Sequence, residues 1–197
     1  MKTLTKTLFA TLLAAVVLTS TAMTTLAANT VKVASVKNSF NKIWVSGNVK
    51  IELTQSDTEG VFVAEGFDAE KTSVMSKGQT LYINSMESGQ VTIKVSVKDL
   101  QRIEAAGNAV VVMSNSFNVK YLQLFLSQSA KAKINAVAGS MYTVVNDDAV
   151  LNISGITHDH TLLASNIANV KSENFRSINT NSQGTELAMK TALLTAK

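Results

Sequence analysis

Three consecutive residues, His158, Asp159 and His160, form the segment that most resembles a metal site. Residues two apart on a strand point to the same side, so the two imidazoles could share an ion. The sequence has no other histidine and no cysteine, and Asp147 or Asp148 from a neighbouring segment would have to complete the ligand set. We therefore expect no metal site and an exposed turn here.

Catalytic patterns are missing from the sequence. Serines are abundant, but no Gly-x-Ser-x-Gly elbow occurs and both histidines lie in one short segment. Asp147 and Asp148 are adjacent, so on a strand they would face opposite sides and could not flank one glycosidic bond. We expect no catalytic residues, no cofactor and no enzyme activity. The alternative is a carbohydrate-active enzyme, a polysaccharide lyase or hydrolase, whose carboxylates converge from separate coils.

A repeated tetrad of small and polar residues runs through the second half of the chain. It begins at Ala106, Ser127, Asn146, Ser165 and Ser182, with apolar residues on either side. A unit that recurs near every twenty residues indicates a solenoid, in which stacked units bury their apolar sides against one another. First positions of the tetrads are expected to exchange hydrogen bonds from coil to coil. Second positions are expected to form a polar row that faces water and a polar ligand: Gln128, Asp147, Asn166 and Gln183.

Two segments of the first half predict the strands that carry such a stack. Val91 to Lys98 alternates strictly between apolar and polar residues, the period of a half-buried strand. Ile43 to Leu53 keeps one apolar phase across Gly47-Asn48, which indicates a bent strand or two strands meeting at a corner. Trp44 takes the opposite phase to Ile43 and Val45. It is either exposed or covered by the strands of residues 61 to 97, and we favour cover.

The N-terminus and the composition predict export. Lys2 and Lys6 precede an apolar run from Leu8 to Leu18 and a small, polar stretch ending at Ala28, the pattern of a cleavable signal peptide over residues 1–28. A membrane-spanning helix needs about 20 apolar residues, so we expect cleavage and no membrane span.

Without cysteine the chain has no disulfide, and residues 29–197 suffice for a single domain. A net charge of +4 is too weak to indicate nucleic-acid binding.

The chain resembles the bacterial family described as putative auto-transporter adhesin, head GIN domain. The residues that carry this resemblance are Phe40-x-x-Ile43-x-Val45-Ser46-Gly47-x-Val49-x-Ile51-x-Leu53, Val91-x-Ile93-x-Val95 and Asp99-Leu100-x-x-Ile103-x-x-x-Gly107. The resemblance implies an all-β exported protein of parallel, right-handed β-helix-like coils, here with an N-terminal strand layer. It implies no catalytic residues. The later tetrads mostly lack the glycine found at Gly47 and Gly107, a departure from the family pattern.

Together these observations predict an exported, non-enzymatic protein of the periplasm or cell exterior. It would act as a binding or adhesin-like module, or as a structural module of the envelope. The expected partner is a polysaccharide or an envelope component, and an uncovered end coil would also permit self-association. The sequence does not name the ligand.

Overall fold

The computed structural model describes residues 30–33, 39–64 and 68–184. The predicted signal peptide lies outside the described residues. The described part is all-β, as predicted, and its single helix is a short 3-10 turn at Ile167–Asn169. No helix within these ranges has the length and apolar character needed to cross a membrane.

Within the described residues, thirteen strands make up one sheet. In chain order they are β1 (Thr30–Lys32), β2 (Lys42–Gly47), β3 (Val49–Gln55), β4 (Gly60–Ala64), β5 (Thr72–Lys77), β6 (Thr80–Ser85), β7 (Val91–Val97), β8 (Arg102–Ala105), β9 (Val110–Met113), β10 (Phe117–Leu126), β11 (Lys131–Val145), β12 (Val150–Ala164) and β13 (Val170–Gly184). The predicted strand at residues 91 to 98 is β7, and its alternating burial confirms the prediction. Residues 43 to 53 form two strands, β2 and β3, that meet at the Gly47-Asn48 corner.

The sheet curls round its core as an open half-barrel of mixed strand orientation. Strands β2, β3 and β6 to β13 pair in parallel with one another, whereas β1 with β4, β4 with β7 and β5 with β6 are antiparallel. The expected separate N-terminal layer is therefore wrong, because these strands extend the same sheet. Lys77 pairs with Thr80 across a two-residue turn at Gly78, and so short a connection forces an antiparallel hairpin.

For the first three pairs of successive tetrads, the sequence offset between paired strands equals the offset between the tetrads. Leu126 lies beside Ala105 on one side and beside Val145 on the other, and Val145 lies beside Ala164. The corner tetrads begin directly after these residues. The fourth step differs. The tetrads at Ser165 and Ser182 are 17 residues apart, whereas paired residues of β12 and β13 are 19 or 20 apart, the offset changing between Asn152 and Ser154. Ser182 therefore pairs with Leu162, and the predicted tetrad begins inside a strand rather than at a corner.

The core consists of inward side chains stacked from strand to strand. One such column contains Leu81, Ile43, Ile103 and Leu124, which are paired in register across β6, β2, β8 and β10 and are almost wholly buried. Burying one aliphatic side chain of this size contributes about 1.5–3 kcal/mol. Because each member of a column is covered by its neighbours, the strands stabilise one another only when they are in register.

The chain turns between strands through left-handed backbone at the corners. Gly47, Gly107, Gln128 and Asp147 all have positive φ, between 57° and 85°. At Gly47 the backbone also approaches β6 closely: a Cβ atom there would lie 1.9 Å from the carbonyl oxygen of Ser85. Glycine is thus required at this corner for space as well as for conformation.

Gly47→Ala should destabilise the protein far more than Gly78→Ala does. Both glycines have positive φ, but a Cβ at Gly78 would meet nothing within 4 Å. We expect a cost of about 1 kcal/mol at Gly78 from the left-handed backbone alone, and at least about 2 kcal/mol more at Gly47 from the backbone clash. Urea unfolding followed by circular dichroism measures the difference. Equal losses for the two variants would contradict the close approach of β2 to β6.

Candidate functional site

Two members of the predicted ligand-facing row lie at adjacent corners. Their side chains accept hydrogen bonds from backbone N–H groups of the preceding corner: Gly107 donates to Gln128 Oε1 at 2.6 Å, and Gln128 donates to Asp147 Oδ2 at 2.9 Å. We call Gly107, Gln128 and Asp147 the corner ladder. Its backbone N–H groups point out of the corner and have no strand partner, so the side chains satisfy them. This arrangement gives the row a structural role.

The other two members of the row lie apart from the ladder. Asn166 is exposed and accepts a hydrogen bond from the Ala168 N–H at the start of the 3-10 turn. Gln183 lies in β13 opposite Leu163. The structure therefore places three of the four residues at corners and Gln183 on a strand. A ligand-binding role for the row stays a prediction.

The predicted corner hydrogen bonds are present in one place. Ser165 Oγ donates to Asn146 Oδ1 at 3.5 Å, which links first positions of two successive tetrads. Ser182 does not join this column, because it pairs with Leu162 within β13.

The geometry at His158 to His160 does not bring two imidazoles together. The expected exposed turn is instead part of β12: His158 and Asp159 are both exposed and His160 is buried, so the strict alternation of a strand is interrupted here. His158 Nδ1 and Asn179 Nδ2 both contact the Asp159 carboxylate, and they lower the pKa of Asp159, with Asn179 the larger cause. Across the described ranges, no three histidine, aspartate or glutamate side chains are placed to hold a metal ion.

His160 instead lies within the core of the C-terminal coils. It is 5% exposed, its Nε2 lies 3.1 Å from the Thr143 hydroxyl, and its ring packs edge-on against Phe175 at 4.9 Å between centroids. Burial lowers the pKa of His160 below the usual 6.5, because the charged form is poorly solvated there. A neutral imidazole is the form that this packing favours.

The outer side of the sheet carries aromatic side chains that lie in register. Tyr82 of β6 lies beside Trp44 of β2, and Trp44 and Phe125 of β10 lie on opposite sides of Glu104 of β8. Tyr142 of β11 is next to Phe125. We call the following residues the aromatic face: Trp44, Tyr82, Arg102, Glu104, Phe125 and Tyr142.

The rings of this face are held by each other and remain partly open to solvent. Trp44 and Tyr82 are 6.1 Å apart between ring centroids, and Phe125 and Tyr142 are 5.9 Å apart, both in tilted geometry. Tyr82 and Tyr142 are each 37% exposed. Trp44 is partly buried, and part of its cover comes from Tyr82 of β6, which lies within the predicted range of residues 61 to 97. Because β6 lies beside β2 in the same sheet and not over it, the indole stays partly open to solvent.

An ion pair lies among these rings. Arg102 Nη1 donates to Glu104 Oε1 at 3.0 Å, and Arg102 Nε donates to Gln123 Oε1 at 2.8 Å. The guanidinium carbon of Arg102 also lies 5.1 Å from the centre of the Phe125 ring, a cation–π contact. Three separate contacts thus fix the guanidinium plane, while both charged side chains stay more than one third exposed.

A shallow pocket of about 210 Å³ opens between Trp44 and Phe125, above Glu104. Val144 forms part of its wall, and the corner residues Ser127 and Asn146 form its rim. A second pocket, of about 220 Å³, is lined by two carboxylates, Glu59 and Asp99, together with Lys98. Each of these carboxylates accepts a hydrogen bond within the fold, Glu59 from the Lys98 N–H and Asp99 from Gln101.

Sequence reasoning missed the aromatic face, although a signal for it is present. Among the described strands, four contain an aromatic residue between two buried aliphatic ones. Val61-Phe62-Val63 of β4 lies on another part of the sheet, and the other three belong to the aromatic face: Ile43-Trp44-Val45, Leu81-Tyr82-Ile83 and Leu124-Phe125-Leu126. A strand with one buried side normally has a polar residue at that middle position. The three rings therefore share the outer side of the sheet.

Comparison with known proteins gives one family and several similar folds. The family model described as putative auto-transporter adhesin, head GIN domain, matches residues 39–185. No curated protein matches the chain. A solved structure of a putative adhesin from Bacteroides fragilis aligns with TM-score 0.65 and 16% identity, covering 79% of this chain and 76% of that one.

Two further solved structures have a similar fold. One is a putative adhesin from Parabacteroides merdae, with TM-score 0.56, 16% identity and coverage of 78% of this chain and 76% of that one. The other is a putative lipid binding protein from Parabacteroides distasonis, with TM-score 0.54, 14% identity and coverage of 78% and 77%. At these identities the likeness is one of fold.

Asp147→Ala should destabilise the protein by about 1 kcal/mol, because the Gln128 N–H loses its acceptor. Asp147→Asn keeps an oxygen in the same place and a residue that tolerates left-handed backbone, so we expect it to be nearly neutral. Asp148→Ala is the matched control at the adjacent exposed position. Urea midpoints of the three variants measure the effect, and equal midpoints for Asp147→Ala and Asp148→Ala would rule out a stabilising ladder.

Stability should fall as the pH drops below about 6.5, and His160 should be a cause. Its pKa is lowered in the folded state, so the unfolded chain takes up the proton first. The stabilisation is complete above the unfolded pKa and is lost as the pH falls through the lower folded pKa. Unfolding free energies across this range should decline less in His160→Gln than in the wild type. Identical declines in His160→Gln and the wild type would contradict this assignment.

Proposed function

Because the chain belongs to the putative auto-transporter adhesin, head GIN domain family, we propose that it is an exported, non-enzymatic binding module. Residues 1–28 are its signal peptide, and residues 29–197 form one domain. The parallel strands of the sheet form right-handed β-helix-like coils. The module acts in the periplasm or at the cell exterior, on a polysaccharide or another component of the envelope.

The observation that carries this proposal is the aromatic face. Large rings that stay partly exposed in register on a rigid sheet leave apolar surface in contact with water, and such surface commonly marks a binding site. The face lies on strands rather than loops, so its side chains are fixed before a ligand arrives and little conformational entropy is lost on binding. The word adhesin in the descriptions of the similar structures also supports ligand binding.

Carbohydrate cleavage is the alternative, and it is favoured by one observation. Glu59 and Asp99 line a single pocket, and a pair of carboxylates is the minimum that a glycoside hydrolase needs. Both carboxylates are engaged by hydrogen bonds from neighbouring groups of the fold. We favour binding, because these contacts give both carboxylates a structural role.

Self-association is a further way in which the module could contact a partner, here a second copy. Among the described strands β13 pairs only with β12, and Ile178 of β13 is 73% exposed. Lys171, Glu173 and Arg176 lie on the same strand. Charged residues on an edge strand discourage uncontrolled pairing, so we regard self-association as secondary to ligand binding.

The purified protein should bind at least one polysaccharide on a glycan array and leave it intact. Light scattering on the same sample measures the molecular mass of the protein in solution. A mass above that of one chain would reveal self-association, which can strengthen binding through multivalency. Any polysaccharide that is bound is then incubated with the protein, and the products are measured by reducing-end release and chromatography. Cleavage that disappears in Glu59→Gln and Asp99→Asn would contradict the non-enzymatic function and identify the pocket of Glu59 and Asp99 as catalytic.

A further inference from the structure

We propose that the pocket between Trp44 and Phe125 is a carbohydrate subsite, and that a glycan chain lies along the aromatic face across the strands. This inference rests on the proposed binding function and assigns its site, its ligand class and the direction in which the ligand runs. The residues that line the subsite come from four neighbouring strands, β2, β8, β10 and β11, and from the corners that follow them.

The spacing of the strands sets the size of the subsite. Adjacent strands lie about 4.8 Å apart, and one strand separates Trp44 from Phe125. The two rings are therefore walls roughly 9.6 Å apart by the same spacing, with Glu104 between them at the base of the pocket. One strand spacing is close to the length of one pyranose residue, so successive sugars of a chain running across the strands would meet successive strands.

Apolar and polar groups both lie along this path, as both occur on a sugar. The C–H faces of a pyranose pack on aromatic rings, and Tyr82, Trp44 and Phe125 offer such rings along one line. Hydroxyl groups need both donors and acceptors. The Arg102 guanidinium has five N–H donors, of which two are used in the contacts with Glu104 and Gln123. The Glu104 carboxylate supplies acceptors, and Ser127 and Asn146 lie at the rim of the pocket.

The same ion pair argues against a lipid chain as the occupant. An acyl chain lying over Arg102 and Glu104 would remove water from both charges and offer no hydrogen bond in return, which is costly. A strongly anionic ligand fits less well, because Glu104 already neutralises Arg102 at 3.0 Å. A neutral or weakly charged glycan satisfies both side chains.

The position of Trp44 makes the subsite directly measurable. It is the only tryptophan of the chain, so fluorescence excited at wavelengths where tyrosine does not absorb reports this pocket and no other. A ligand that covers the partly exposed indole should shift its emission to shorter wavelength. We expect the purified chain to show this shift when titrated with oligosaccharides prepared from a polysaccharide that it binds.

Two variants test the assignment, and one matched control accompanies them. Phe125→Ala removes one wall and Glu104→Ala removes the base of the pocket, while both keep the tryptophan, and each should weaken oligosaccharide binding by about tenfold or more. Tyr121→Ala removes another exposed aromatic residue from the same strand, β10, outside the pocket. It should bind as the wild type does. Urea midpoints establish that all three variants are folded.

The outcomes separate this inference from the proposed function. Intact binding of the oligosaccharide by Phe125→Ala and Glu104→Ala would overturn the subsite and leave a binding module with its site elsewhere. An emission shift with phosphatidylcholine or phosphatidylglycerol vesicles but with no oligosaccharide would overturn the carbohydrate class. Cleavage of the bound polysaccharide would contradict the non-enzymatic function whether or not these variants bind.

Discussion

A strand of this protein buries its inward side chains only when the neighbouring strand repeats the same pattern in register. The column of Leu81, Ile43, Ile103 and Leu124 has this property across four paired strands. A slip of one residue would move every aliphatic side chain of a strand to the outer side of the sheet. The corner residues help to maintain this register, because they turn the chain in a fixed number of residues. The hydrogen bonds of the corner ladder also hold successive corners against each other.

The register that stacks the core also aligns the outer side chains. Trp44, Tyr82, Glu104 and Phe125 come from sequence positions spread over much of the chain, yet each lies between two buried residues that are held in a column. The outer line of side chains is thus as rigid as the core beneath it. A binding face built in this way needs no loop to order, and exchange of the outer residues alters its chemistry without altering the fold.

Sequence patterns predicted the parts of this structure that depend on local spacing. The all-β class, the strand at residues 91 to 98 and the corner at Gly47-Asn48 follow from alternation and from glycine chemistry. The tetrads predicted the register for three steps and failed at the fourth, where the tetrad at Ser182 follows Ser165 at a shorter spacing than the register of β12 and β13 has. The segment from His158 to His160 was expected as an exposed turn, but it lies within β12, with His158 and Asp159 exposed and His160 buried.

The candidate site was harder to predict, because it depends on which strands become neighbours. The strand order β6, β2, β8, β10 is not the chain order, so nothing in the local sequence places Phe125 near Trp44. The polar row was visible in the sequence, but the backbone N–H groups that its side chains satisfy were not, since they become available only when the corners stack. A sequence does not distinguish a polar side chain that satisfies a backbone N–H group of the fold from one that is available to a ligand.

The central claim is that the register of β2, β8 and β10 creates the binding surface, and amide chemical shifts during an oligosaccharide titration test it most directly. The account predicts that the largest perturbations fall on residues 44–45, 104–106 and 125–127, with little change at residues 93–95 and 111–113, on the other part of the sheet. Perturbations centred on Asp147 to Asn166 instead, or on Glu59 and Asp99, would contradict it.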